Sequence, residues 1–119
     1  MDDNRIISLA NKLGFNDIIN DEKVNLNLML ANNGENLSGG QRRKITILRG
    51  LIHDPQIIIL DEAMTFLDEE SKRNLCKYIE EIKENKIIIL VSHEDVQYID
   101  IDFELEIENE VIINLAAAP

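Results

Sequence analysis

A second cysteine is missing from this 119-residue chain: Cys76 stands alone, so no internal disulfide can close and a cysteine-rich metal site is excluded. A reducing cytosol fits that usage. Long apolar runs are missing as well. Ile57 to Leu60 and Ile87 to Val91 fall far short of the roughly 20 residues that cross a bilayer, and the N-terminus has no signal-peptide pattern. Any link to a membrane must come through another polypeptide or another part of this one. Basic excess is absent too: 12 Lys and Arg against 23 Asp and Glu give a formal net charge of −11. An acidic surface repels nucleic-acid phosphates, so nucleic acid is not expected as a partner. Neither an internal repeat nor a low-complexity tract occurs. What remains is a globular balance, 45% hydrophobic and 29% charged, in a length that holds one small domain or a piece of one.

Periodicity divides the chain. Ile6, Leu9, Ala10 and Leu13 recur at helical spacing, with Asp2 and Asp3 as caps and Gly14 as a stop. Asn20 to Asn36 has no sustained period and reads as irregular structure around one short helical piece. From about Gln41 to Ile52, Ile45, Leu48 and Ile52 form one apolar stripe, while Arg42, Arg43, Lys44 and Arg49 fall mostly elsewhere. Ile57 to Asp61, entered through Asp54 and Pro55, reads as a strand buried on both faces of a parallel sheet. A helix follows, striped by Leu75, Ile79 and Ile82 with Cys76 alongside. Its acidic start (Asp68, Glu69, Glu70) and basic end (Lys83, Lys86) suit the helix dipole. Ile87 to Val91 completes a right-handed parallel βαβ unit, whose C-terminal edge is where ligand chemistry belongs. Phe103, Leu105 and Ile107 alternate with acidic residues, turn at Asn109 and Glu110, and pair with Val111, Ile113 and Leu115 as a half-exposed hairpin.

Three places carry chemistry. Leu37-Ser38-Gly39-Gly40-Gln41 precedes a helix, so a hydroxyl, glycine amides and a helix N-terminus can face one anion, although a plain capped helix start has the same look. Asp61 and Glu62 close the run Ile-Ile-Ile-Leu. Two adjacent carboxylates at a sheet edge fit a Mg²⁺ ligand beside a residue that positions or deprotonates water; the bland alternative is a solvated acidic turn. His93, after Ser92, reaches the same edge, as catalytic imidazole or as an ordinary loop residue. Asp68 stands where an N-cap belongs, a role compatible with a second one.

In order, Leu-Ser-Gly-Gly-Gln, Ile-Ile-Ile-Leu-Asp-Glu-Ala, Leu67-Asp68 and Ser92-His93 resemble the ATP-binding-cassette (ABC) family over about Ile6 to Leu115. The resemblance implies an α/β fold, part of a P-loop NTPase: a parallel βαβ core, a helical subdomain and a C-terminal antiparallel hairpin. On that pattern residues 1–53 are the helical subdomain with the signature motif, 54–115 the C-terminal part of the ATPase core, and 116–119 a tail. It also implies ATP and Mg²⁺ as cofactors. Ser38, Gly39, Gly40 and Gln41 would contact nucleotide, Asp61 the metal; Glu62 would be the catalytic carboxylate, Asp68 the D-loop aspartate, and His93 the switch histidine. In this family the signature of one subunit covers ATP held by the other of a head-to-tail pair. The expected partners are therefore a second nucleotide-binding domain and a transporter's transmembrane domain, at the cytoplasmic face of a membrane. Asn33-Gly34-Glu35-Asn36 before the signature looks exporter-like, of the peptide or bacteriocin kind. The chain departs from the pattern at Met64, Thr65 and Phe66, where the exporter D-loop has smaller residues, and at Asn109, where the hairpin often has Gly.

One expected motif does not occur. A phosphate-binding loop needs Gly-x-x-x-x-Gly-Lys followed by Ser or Thr; Gly34 and Gly39 have the glycine spacing, but Gly40 and Gln41 follow. On this reading the chain alone binds ATP weakly and hydrolyses it negligibly. Rival readings are a soluble ABC-type ATPase of DNA repair or chromosome maintenance, and a non-enzymatic remnant that regulates a complete cassette.

Overall fold

Helix α1 (Asp3–Lys12) stops because Gly14 takes φ +72°, a left-handed conformation that side chains resist. The Gly14 N–H donates to the Asn11 carbonyl at 3.1 Å and the Phe15 N–H to the Ala10 carbonyl at 2.8 Å, the paired bonds of a Schellman C-cap. That turn swings Phe15 into the core beside Leu13 and starts α2 (Asn16–Asn20), which buries Ile18. The five-residue helix was not foreseen from the sequence. A Cβ on Gly14 would also run into the side-chain amide of Asn74. Gly14→Ala is therefore expected to cost about 1–2 kcal/mol, the left-handed penalty of an L residue, with Asn74 swinging aside. Urea unfolding of the two proteins reads the difference.

The computed structural model describes residues 3–20, 38–93 and 98–117. The helical piece expected between Asn20 and Asn36 lies outside them, apart from Asn20 itself at the end of α2. Next comes α3 (Gly39–Leu51), two residues earlier than its stripe predicts. Its buried face is Lys44, Ile45, Ile47, Leu48 and Leu51, so Lys44 lies inside and not among the outward basic residues where the sequence placed it.

Strand β1 (Ile57–Asp61), helix α4 (Glu69–Ile82) and strand β2 (Ile87–Val91) form the expected parallel βαβ unit, in the register Ile57↔Ile87 to Asp61↔Val91. Two bonds extend the ladder: Ile87 N–H to Gln56 carbonyl and Glu62 N–H to Val91 carbonyl, each 2.9 Å. Before β1, the Lys86 ammonium pins the entry to both strands, 2.7 Å from the Pro55 carbonyl and 2.7 Å from Asp54.

The expectation of a strand buried on both faces is corrected. Ile58 and Leu60 enter a core with Leu48, Leu51, Leu75 and Ile79, but Ile57 and Ile59 are exposed, as are Ile87, Ile89 and Val91 on β2. The described helices cover one side of the pair. Branched aliphatics on both pleat faces still encode a strand made for two layers.

Cys76 is fully buried against α4's neighbours, its Sγ 3.8 Å from the Met64 sulfur, and burial pushes its thiol up to about 11, with Glu80 adding to the effect. It is packing, not a nucleophile. Strands β3 (Phe103–Glu108) and β4 (Val111–Ala117) pair antiparallel around Asn109 and Glu110, both at positive φ (51° and 66°), as a two-residue primed hairpin turn requires. Asparagine thus serves where glycine is common. Every residue of β3 is exposed, more than the half-exposed ribbon expected, since no other described element packs on it. Among the described residues no helix is long and apolar enough to cross a membrane.

Candidate functional site

The first group of residues sits at the start of α3. Ser38 is its N-cap, in extended conformation, and a reciprocal capping box closes the turn: the Gln41 N–H donates to Ser38 Oγ and the Ser38 N–H to Gln41 Oε1, both 3.1 Å. Gln41 is thereby a structural brace as well as a member of the expected nucleotide set. The box uses Ser38 Oγ as an acceptor and leaves its hydroxyl proton to donate. Ser38 and Gly39 are exposed, and a Cβ on Gly39 would meet nothing within 4 Å. At Gly40 the space is tight: a Cβ there would stand 3.2 Å from the Phe66 carbonyl oxygen, so glycine allows α3 to approach the loop after β1.

A second group forms at the C-terminal edge of the parallel pair, where βαβ units present ligand chemistry. Glu62 takes φ +51° immediately after β1, its backbone held by the bond to Val91. One oxygen, Oε1, is buried and lies 3.2 Å from His93 Nε2 without the alignment of a hydrogen bond; Thr65 Oγ1 donates to Oε2 at 3.5 Å. The imidazole itself is almost wholly exposed at 95%. A carboxylate oxygen with unspent acceptor capacity beside a solvent-facing histidine can orient water and take its proton. Asp61, one residue earlier, is exposed and forms no ion pair with other described residues.

Asp68 closes the loop that follows Glu62. It caps α4, accepting from the Ser71 N–H at 3.2 Å and the Ser71 hydroxyl at 2.6 Å. The hydroxyl bond holds its carboxyl below the usual aspartate range; burial opposes this, and the Ser71 amide and Lys44 reinforce it. Lys44 is the residue sequence reasoning missed. Its ammonium stands 2.8 Å from Asp17 and 3.6 Å from Asp68. The signal was available: Lys44 precedes Leu48 and Leu51 by four and seven residues, the spacing of one helix face.

The structure therefore brings Glu62 to His93, and Ser38 through Gln41 to one helix start, as two separate groups. Among the described residues no three His, Cys, Asp or Glu side chains gather as a metal site. Mg²⁺ bound with nucleotide needs no such cluster: it takes one or two carboxylates and completes its shell from phosphate and water. Asp61 fits as one such ligand. Phosphate oxygens fit the start of α3, where glycines leave the amides open.

The family model described as ABC transporter matches residues 1–65. The leukotoxin translocation ATP-binding protein LktB of Pasteurella haemolytica-like sp. (strain 5943B) is 37% identical over 89 residues, 75% of this chain and 13% of its own length. The ATP-dependent lipid A-core flippase of Vibrio vulnificus (strain CMCP6) is also 37% identical over 89 residues, 75% of this chain and 15% of its own. The chain thus spans about a seventh of these relatives. A solved SMC ATPase structure superposes with a TM-score of 0.53 at 15% identity, covering 71% of this chain and 56% of that one; this likeness shows the fold, that of a P-loop NTPase. With the family model matching residues 1–65 and relatives 37% identical over 75% of its length, this chain belongs to the ABC transporter family.

Proposed function

We propose that the chain is the signature-bearing and hydrolytic part of an exporter-type ABC ATPase, acting on ATP whose phosphates another stretch of protein grips. The carrying observation is Glu62: a carboxylate oxygen, buried and without a hydrogen bond, beside His93 at the ligand edge of a parallel βαβ unit. Ser38, Gly39 and Gly40 bind and orient the terminal phosphate of ATP presented by a second nucleotide-binding domain. Glu62 orients the attacking water and accepts its proton, and His93 holds that carboxylate and the phosphate side in place. Bound Mg²⁺, with Asp61 as one ligand, supplies charge stabilisation on the phosphates. Residues 1–53 serve as the helical subdomain and 54–115 as the core part. Transmembrane segments supplied elsewhere bring the unit to the cytoplasmic side of a membrane, and the transported cargo is of the peptide or bacteriocin kind.

Phosphate release tests this. The chain alone is expected at background, because Asp61 and Glu62 have no anchored phosphate to act on. Joined with the polypeptide that supplies the phosphate-binding loop, it should give ATP-dependent turnover, which Ser38→Arg in this chain abolishes by filling the phosphate position. Turnover indifferent to Ser38→Arg sinks the proposal. Inhibition of an otherwise active cassette by the wild-type chain favours a regulatory remnant instead.

A further inference from the structure

Lys44 is a buried cation that none of the roles above uses. Its side chain is about a tenth exposed, with its ammonium 2.8 Å from Asp17 Oδ1, 3.6 Å from Asp68 Oδ1 and 5.5 Å from the centre of the Phe15 ring. Burying an ammonium is costly, and an apolar side chain of similar length would fill the same space without that penalty. A charge kept there does something an apolar group cannot: it fixes direction between elements that carry its counter-charges.

Those elements are the relevant ones. Gly40 and Lys44 are four residues apart on α3 and share one face. That face meets the loop after β1 twice, at the Phe66 carbonyl through Gly40 and at Asp68 through Lys44. The loop itself is wound tight. Thr65 N–H donates to the Glu62 carbonyl and Leu67 N–H to the Met64 carbonyl, both at 3.2 Å, before Asp68 caps α4. A displacement at Asp68 therefore reaches Glu62 through two consecutive turns with little slack.

We propose that Lys44 is a positioning residue: held between Asp17 of α2 and Asp68, it locks the signature-bearing helix to the loop that carries Glu62 and so fixes the two halves of the site relative to each other. The inference rests on the ATPase reading above. Lys44 acts through Asp68.

The test uses the complete ATPase assembly, this chain together with the polypeptide carrying the phosphate-binding loop. Lys44→Met should lower kcat about tenfold or more while KM for ATP moves less than about twofold, since the capped start of α3 survives and only alignment is lost. Lys44→Arg, which can span the same two carboxylates, should restore most of kcat. Asp17→Asn, at the outer end of the bridge, should show the same split at about threefold and guards against a Lys44→Met protein that does not fold. Equal loss in Met and Arg variants, a loss confined to KM, or an Asp17→Asn kcat equal to wild type overturns the proposal. Amide exchange separates this from failure of the ATPase reading. Whatever the turnover, Lys44→Met should speed exchange at Leu67, Ser71 and Lys72, whose N–H groups bond within the loop and cap, and leave β1 and β2 as they were. A uniform change, or none, also overturns it.

Discussion

Glu62→Gln is expected to remove at least about a hundredfold of turnover from the complete assembly while leaving nucleotide binding and the fold intact, the usual scale for losing a positioned general base. The amide keeps the volume and one acceptor, but it cannot take a proton from water. Structural side effects should be small. The backbone of Glu62 is held by Val91 and not by its own side chain, and its left-handed φ is no harder for Gln than for Glu. The partner across the pair, His93, is exposed and stays hydrated whichever group it faces. Unfolding free energies within about 0.5 kcal/mol of wild type should accompany the loss. Two measurements decide it: single-turnover phosphate release, and binding of a fluorescent nucleotide under the same conditions. Full turnover in the Gln variant would move the base elsewhere and leave Oε1 as an unexplained buried acceptor. Lost nucleotide binding would make Glu62 a structural residue of the β1 exit.

The same substitution separates Glu62 from its neighbour. Asp61 is exposed at the last position of β1, where on the proposed reading its carboxylate would serve a cation brought with the nucleotide. Loss of Asp61 should therefore act through Mg²⁺ dependence, whereas loss of Glu62 should not be rescued by any Mg²⁺ concentration.

Local pattern carried much of the fold. Two runs of branched aliphatics with a striped helix between them specify a parallel βαβ, and Asn109-Glu110 between alternating segments specifies a hairpin; both form with the expected register sense. Other features were illegible because they depend on what lies opposite. The spacing of Lys44 places it on the buried face of α3, but its partners Asp17 and Asp68, 27 and 24 residues away in the chain, could not be read from that spacing. The bare face of Ile57, Ile59, Ile87, Ile89 and Val91 could not be told from a covered one, since strand composition records how many layers a sheet is built for and not which are present. Helix α2 escaped because its five residues are too few for a period, and it exists through the turn at Gly14. At the site, the adjacency of Glu62 and His93 followed from two strands ending at one edge, while Gln41's brace on Ser38 required seeing the capping box closed.

Phe15→Ala should be the most damaging single substitution for stability, at about 3–5 kcal/mol for a large-to-small change in a packed core. Phe15 has no exposed surface, and the Schellman turn fixes its backbone so that the side chain cannot be replaced by a sliding neighbour. It also forms the apolar wall beside the Lys44 ammonium, at 5.5 Å from the ring centre, so its loss would hydrate a charge that now has two carboxylates and little water. Domains of this size have only about 5–15 kcal/mol in total, so much of the population would unfold near physiological temperature. Phe15→Leu keeps most of the volume and should cost less than half as much. Urea denaturation of the three proteins checks the order. A Phe15→Ala loss below about 1 kcal/mol would mean that the space between α1, α2 and α3 collapses freely. In that case the Lys44 bridge would be anchored by its carboxylates alone, and the ring would contribute neither packing nor orientation to the signature helix.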